Sequence, residues 1–297
     1  LVTGLYAPTA RSARARPLLG KPVVDPPRSR AVRLALASLY ASLELPAEAE
    51  KQLRTLMEFE PDDAAHPLAL ARLLVAGKRV DAAEQVMQEA IERFPAERDL
   101  RRALVDLLVS TRGPEAAERQ LRAFAQAAPA DAESTFALAQ FFVGQGRQGD
   151  AEKTYREVIA REGTKSAGLL ARSRLASMLG ARRDTNGARR LVEEVLAVNP
   201  REGEALFVRG NLALAAGDPK ATIADMRVII RDQPDAAGAL RILGRAHGAN
   251  GEPELAMETL RRAVEADPRD IDARLELAQV MIDNGRASQA RPILEIV

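Results

Sequence analysis

The sequence contains no cysteine, no tryptophan, only 3% aromatic residues and just two histidines in 297 positions. Without thiols there is neither a disulfide framework nor a thiolate metal site, and this absence suits a reducing cytoplasm and an oxidising periplasm equally. The histidines, His66 and His247, stand far apart, and neither has a His, Cys or carboxylate partner at a metal-ligand spacing such as HExxH. His247 falls at a packed helix position and reads as a core or edge residue; His66, beside Pro67 at a helix start, reads as a surface residue. No GxxxxGKS/T or GxSxG stretch occurs, and the one GxGxxG spacing, GQGRQG at 144–149, falls with the other glycines in a turn between helices rather than after a strand, so it does not read as a phosphate cradle. No apolar run approaches the roughly 18–20 residues of a membrane-spanning helix, and no segment sustains the period-two alternation of a half-buried strand. A net charge of +1 exerts no global pull on nucleic acid or anionic lipid. These absences point away from an enzyme: no catalytic residue, cofactor or metal is expected.

What is present is a proline clock. Pro61, Pro95 and Pro129 are 34 residues apart, and so are Pro200, Pro234 and Pro268. Proline removes a backbone donor and clashes with the preceding turn, so each marks the end of a helix. The step after Pro129 lands on Gly163, which can also end a helix, and Pro200 follows 37 residues later, so one interval carries three extra residues. Between stops, apolar residues spaced by three and four give two amphipathic helices joined by turns such as GQGRQGD (144–150) and GANGEPE (248–254). Small residues recur where the two helices must approach. On the first helix they are Ala37, Ala71, Ala139, Ser173, Gly210, Gly244 and Ala278; on the second, Ala49, Ala83, Ala117, Ala151, Ala188, Ala256 and Ala290. Larger groups there would overpack the seam at about 1–3 kcal/mol. Val105 and Thr222 are the exceptions.

A 34-residue helix-turn-helix with this pairing and a terminal proline resembles the tetratricopeptide repeat. In residues 239–268 the pattern is met by Leu243, Gly244, Gly251, Ala256, Ala263 and Pro268. The resemblance implies an all-α fold, a right-handed superhelical solenoid of antiparallel helix pairs. Repeats begin near residues 30, 64, 98, 132, 166, 203 and 237. The expected organisation is a basic, Pro-rich extended lead-in at 1–29, seven repeats over 30–270 and a truncated eighth over 271–297. Residues 1–30 hold six basic residues and one aspartate, about +5, which leaves about −4 for the rest of a chain of net charge +1. The chain begins with Leu1 and stops inside a repeat, which suggests a processed or excised piece. Two departures carry local expectations: the three extra residues should lengthen the surface turn at 180–187, and the missing proline at Gly163 should let the array bend there, between two rigid halves.

In this family the first helices line a concave wall that takes protein ligands. Carried over repeat by repeat, one inner position holds Leu34, Leu68, Arg102, Phe136, Leu170, Phe207, Arg241 and Leu275. One turn further come Ser38, Arg72, Asp106, Gln140, Arg174, Asn211, Arg245 and Gln279. The resemblance thus implies a groove for a peptide or an apolar-faced helix of a protein partner, with Phe136, Leu170 and Phe207 as anchors and Gln140, Arg174, Asn211, Arg241 and Arg245 fixing orientation. The competing reading is that the apolar ladder packs between adjacent repeats. Chaperone-binding members grip a C-terminal carboxylate with lysine at the first position and asparagine one turn on; no repeat here has that pair, although Arg241 and Arg245 could meet an acidic group. The richness in Ala, Arg and Leu resembles the style of large bacterial tetratricopeptide proteins of exopolysaccharide export and cell-envelope assembly, periplasmic or cytoplasmic. The alternatives are a regulatory or scaffold segment of a larger enzyme and a single-stranded RNA reader of the related pentatricopeptide type, whose basic groove and 35-residue period fit less well. At the C-terminal end, Ile293, Leu294 and Ile296 are expected to leave an apolar face open to dimerisation.

Overall fold

The structure, a computed structural model, describes residues 30–129 and 131–294. The lead-in read at 1–29, and Ile296 with the last three residues, lie outside the described residues. Among the described residues there are sixteen α-helices and no strand. They alternate as first and second helices of eight repeats: α1 (Arg30–Ser42) and α2 (Pro46–Phe59), α3 (Ala65–Ala76) and α4 (Val80–Arg93), α5 (Arg98–Arg112) and α6 (Pro114–Ala127), α7 (Ala132–Gly144) and α8 (Gln148–Glu162). Then come α9 (Ser166–Ala181) and α10 (Thr185–Val198), α11 (Gly203–Ala215) and α12 (Pro219–Asp232), α13 (Ala237–Ala249) and α14 (Pro253–Ala266), α15 (Ile271–Asp283) and α16 (Ala287–Leu294). The first helices begin within one residue of the positions read from the prolines.

The prolines act through the residue before them. Glu60, Phe94, Asn199, Gln233 and Asp267 close their helices with φ between −119° and −136° and ψ between 64° and 92°, outside helical geometry, and each is followed by a proline. Steric exclusion of the helical region before proline accounts for this. The next first helix is then nucleated by a side-chain cap in several repeats, as where Asp131, Glu202 and Asp270 accept from the backbone N–H groups of Glu133, Ala205 and Ala273.

The chain divides into two compact units, one ending at Ala123 and the other starting at Phe124, within α6. In the first, consecutive helices from α1 to α5 pack on one another, burying Tyr40, Leu56, Leu70, Leu74, Met87, Leu100 and Leu104. In the second, α7 to α16 pack consecutively, and first helices also touch the next first helix, α9 on α11, α11 on α13 and α13 on α15. The small-residue seam is buried throughout: Ala49, Ala83, Ala117, Ala139, Ala151, Ala188 and Ala256 are wholly inaccessible. A Cβ on Gly244 would stand 2.6 Å from Leu260 Cγ, and one on Gly210 would stand 2.6 Å from Met226 Cε. Thr222, an exception to the pattern, is fully buried and donates its hydroxyl to the Gly210 carbonyl oxygen at 2.8 Å. Its extra polar atom is thereby satisfied at the point of closest approach.

Two local expectations are corrected. The three extra residues lengthen α9, which has 16 residues where α7, α11 and α13 have 13. Its turn, 182–184, is as short as those at 216–218 and 250–252. Three residues are nearly one helical turn, about 4.5 Å of rise, so the helix absorbs them while keeping its faces close to register. Nor does Gly163 mark the division between units. Gly163 ends α8 with φ 58°, and Arg172 Nη1 on α9 donates to the carbonyl oxygens of Gly163 at 2.6 Å and Gly168 at 3.1 Å. A Cβ on Gly168 would lie 2.1 Å from the Gly163 oxygen. The junction is a close, hydrogen-bonded contact inside the second unit.

Charged side chains link successive repeats. Arg79 reaches Glu50 at 2.5 Å, Arg112 reaches Glu84 at 2.7 Å and Arg182 reaches Glu152 at 3.2 Å, in each case from the end of a first helix or the turn after it back to the preceding second helix. Ion pairs one turn apart on a single helix accompany them, Arg54 with Glu50 and Arg122 with Glu118.

Candidate functional site

The second unit contains a groove of about 840 Å³ whose wall is built from α7, α9, α11 and the start of α13, with α8 and the end of α12 reaching in. Gln140, Arg174 and Phe207, from successive first helices, line it together with Tyr155, Met178, Val208 and three glutamine side chains in all, Gln140, Gln148 and Gln233. The period that puts one inner residue on each first helix is what brings these positions onto one surface.

Phe136 does not present its ring to solvent. It is 6% exposed, its ring centroid lies 6.3 Å from that of Tyr155, and the Arg174 guanidinium lies 4.8 Å above it. The sequence reading made it an anchor; the structure makes it the platform on which Arg174 rests, a cation–π contact that fixes the guanidinium at the groove floor. Phe207 is half-buried, packs against the cluster of Leu206, Met226 and Leu243, and has its ring edge 3.7 Å from the position a Cβ would take on Gly238. Val143 is 40% exposed at the opposite wall. Leu170 is half-buried on α9 outside the groove lining, and Asn211 donates to the Phe207 carbonyl oxygen at 2.9 Å. That bond turns the amide back onto its own helix.

In the second unit the arginines of the inner ladder face carboxylates of the following repeat, whereas Arg102 in the first unit pairs with Asp99 of its own helix. Arg174 Nε stands 3.6 Å from Glu204 Oε2. Arg241 faces Asp272 at 3.1 Å, Asp270 at 3.5 Å and Glu276 at 3.7 Å, and Arg245 faces Glu276 at 3.8 Å. Arg241 and Arg245, a pair that could meet an acidic group, thus already face carboxylates of the chain itself. Crowding in the groove pushes the Glu204 carboxyl above its ordinary value; Arg174 pulls it back and Glu202 adds to the rise. The 3.6 Å separation, longer than a charge-assisted hydrogen bond, agrees with a pair too loose to offset that desolvation. Burial likewise pushes up the Glu276 carboxyl, against the pull of Arg245 and Arg241, and the Tyr155 hydroxyl. Glu202 is held more firmly: Oε2 accepts from Ala205 N at 2.6 Å and from the Ser173 hydroxyl at 2.9 Å.

Sequence reasoning missed two clusters. Arg209 makes a paired contact with the buried Asp225, at 2.9 and 2.6 Å, which ties α11 to α12. In the first unit His66 is 1% exposed, not a surface residue, and its Nε2 lies 2.8 Å from Glu60 Oε2 and 3.8 Å from Asp63. The spacing of six and three residues spans a turn and escapes any helix-based metal motif. Ligand atoms of Glu60, Asp63 and His66 lie within 4.8 Å of one another. They are engaged already: the Arg30 guanidinium stands 2.5 Å from Asp63 and 3.8 Å from Glu60, and the other Asp63 oxygen caps Ala65 N at 2.8 Å. The arrangement acts as an ion-paired, hydrogen-bonded brace at the start of α3. His247 is a core residue as expected, 4% exposed, with Nδ1 2.5 Å from Glu252.

Comparison with known proteins agrees with this architecture. The sequence profiles of the tetratricopeptide repeat match residues 34–98, 102–167, 174–237 and 247–297. A curated relative, "Protein CTR9 homolog" of Arabidopsis thaliana, is 31% identical over 86 residues, 28% of this chain and 8% of that protein, so the chain spans less than a tenth of its length. A tetratricopeptide repeat protein from Parabacteroides merdae superimposes with a TM-score of 0.54 at 15% identity, over 84% of this chain and 97% of that one. A chain of the APC/C hetero-tetramer Cut9-Hcn1 gives 0.56 at 13% identity, over 90% of this chain and 55% of that one. These two likenesses show the fold. Among the described residues no helix is long and apolar enough to cross a membrane. With repeat profiles over most of its length and helix pairs in the matching register, the chain belongs to the tetratricopeptide repeat family.

Proposed function

We propose that the chain is a non-catalytic scaffold that holds a peptide or helix of a protein partner in the groove of the second unit. Phe207 is its apolar anchor, and Gln140 and Arg174 fix orientation. The single observation that carries this reading is the convergence of those three residues, from three successive repeats, on one open groove of about 840 Å³. Proteins of this family generally act as scaffolds for protein partners, which supports the reading. The groove offers amide, phenol and apolar surface, the mixture that peptide recognition uses. Peptides selected from a displayed random library on the full chain provide the test. F207A should weaken the selected peptides about 5- to 30-fold, the effect of truncating a central aromatic anchor by roughly 1–2 kcal/mol, with the circular dichroism spectrum unchanged. Equal binding by F207A would remove the groove from the account.

The carboxylates in the lining speak against the RNA-reading alternative, because phosphate contacts require cationic surface. A setting in bacterial envelope or exopolysaccharide assembly is part of the proposal, supported by the Ala-, Arg- and Leu-rich style of the repeats. A regulatory segment of a larger enzyme would use the same groove. Cross-linked pull-down from the native host separates them by whether an envelope component or a catalytic polypeptide is recovered.

Self-association belongs to the proposal too. Of the C-terminal residues expected to be open, Leu294 is exposed and Ile293 is partly buried against the cluster of Met257, Leu277 and Met281. Ile271, Leu275 and Ile282, each about half exposed along one side of α15, add to the uncovered apolar surface of this repeat. A dimer seen by sedimentation equilibrium should be lost in L275E, and a monomer at every concentration tested would remove this part.

A further inference from the structure

The groove has a charge as well as a shape, and the two together define the chemistry of its occupant. The charged side chains in its lining are Arg174, Glu202 and Glu204, a net of one negative charge. Beyond it on the same wall, Arg241 and Arg245 are matched against Asp270, Asp272 and Glu276. Three cations therefore face five anions along the inner side of α9 to α15. The cations are outnumbered, and Arg174 is stacked on Phe136. Glu204 differs from Glu202 in the groove: its side chain is 46% exposed, its only ion pair among the described residues is the loose one at 3.6 Å, and it carries no hydrogen bond from a capped backbone such as Glu202 receives. An exposed carboxylate with spare acceptor capacity, set in a crowded groove beside an aromatic wall, is a receptor for a cation. A carboxylate-bearing ligand would meet Glu202 and Glu204 against the single cation of the groove lining, Arg174.

We propose that the groove of the second unit selects a partner segment in which a lysine or arginine stands next to an apolar side chain, the cation bound at Glu204 and the apolar group at Phe207. The inference rests on the groove reading above and adds the identity of the side chain that is read. It makes Glu204 a specificity-determining residue, and it makes binding salt-sensitive because the recognised charge is partly solvent-exposed.

The test uses the full chain and a displayed random peptide library, followed by fluorescence anisotropy of a labelled selected peptide and of its Lys→Gln version. Selection should enrich lysine and arginine beside leucine, phenylalanine or methionine. The parent should bind the lysine peptide about 3- to 10-fold more tightly than the glutamine peptide, the size of one partly screened ion pair. E204Q should lose that preference, so that it binds the lysine and the glutamine peptides alike. The upward shift of the Glu204 carboxyl, caused first by burial, means that its ionised form does not stabilise the fold, so E204Q should unfold no earlier than the parent in denaturant. Selection of acidic or charge-indifferent peptides, or an unchanged lysine preference in E204Q, overturns the inference. If F207A weakens binding while E204Q does not, the groove stands and its cation selectivity falls; if F207A is silent as well, both fall.

Discussion

Replacing Gly168 with alanine should destabilise the second unit even though alanine is the better helix former. A Cβ at position 168 would lie 2.1 Å from the Gly163 oxygen and 3.0 Å from its carbonyl carbon, both backbone atoms that cannot rotate away. The start of α9 must therefore shift by about 1 Å to restore van der Waals separation. Overpacking of this kind costs about 1–3 kcal/mol. The shift also strains the Arg172 bonds to Gly163 and Gly168, and bonds to a charged group contribute about 1.5–3 kcal/mol. Against these stands a helix-propensity gain of about 1 kcal/mol. The net expectation is a loss of about 2–4 kcal/mol, a fall of roughly 1–2 M in the urea midpoint at an m value near 2 kcal/mol/M, read by circular dichroism. R172A should lose part of that alone, and the double variant should lose less than the sum, because both act on one contact. A G168A protein as stable as the parent, or more so, would show that helix propensity decides at this position and that the close junction does not exist.

Three further outcomes follow from the same geometry. G244A should lose about 1–3 kcal/mol, because its Cβ meets the branched Leu260 Cγ at 2.6 Å and the Ala256 oxygen at 3.3 Å. G210A meets only the flexible end of Met226 and should stay within about 0.5 kcal/mol by thermal unfolding. Arg183 holds φ 64° and Gly217 holds φ 82° in corresponding turns, with no neighbour near Gly217; R183G should gain and G217A lose up to about 1 kcal/mol, the cost of a left-handed residue bearing a Cβ. The Asp63 carboxyl is held below its ordinary value, first by the Ala65 N–H, then by His66 and Arg30. Its contribution is present above the unfolded value near 3.9 and fades as pH falls through the lower folded value. The stability gap between the parent and D63A should accordingly close below about pH 4, and a gap unchanged at acid pH would refute the assignment.

The fold was legible because its determinants are local and repeated. Proline excludes the helical region for Glu60, Phe94, Asn199, Gln233 and Asp267 whatever surrounds them, and a helix pair touching as closely as at Gly244 leaves no room for a larger residue. What was misread depended on a choice between local solutions of similar energy. Three extra residues can extend a loop or a helix; α9 takes the helix because nearly a whole turn preserves the buried face of Leu175, Ala176 and Leu179. A glycine can loosen a junction or permit a close one. At Gly163 the second outcome depends on Gly168 and Arg172, five and nine residues away, which have no helix-pattern signature of their own.

The site was legible in position and not in chemistry. The repeat placed Gln140, Arg174 and Phe207 on one wall, but whether a side chain there is offered or covered is decided by the next repeat. Phe136 is covered by Arg174, and Leu275, at the same repeat position, stands about half exposed. The partners of the ladder arginines lie 30 or so residues downstream, at Glu204 for Arg174 and at Asp272 for Arg241. In a linear reading these appear as unconnected charges on different helices. Stacking brings each cation against the acids at the start of the following first helix, where carboxylates also cap the backbone and favour the helix dipole. A wall that reads as arginine-rich along its ladder therefore carries more acids than bases from α9 to α15 once folded, and a net charge of +1 for the whole chain conceals a groove lined by one cation and two anions.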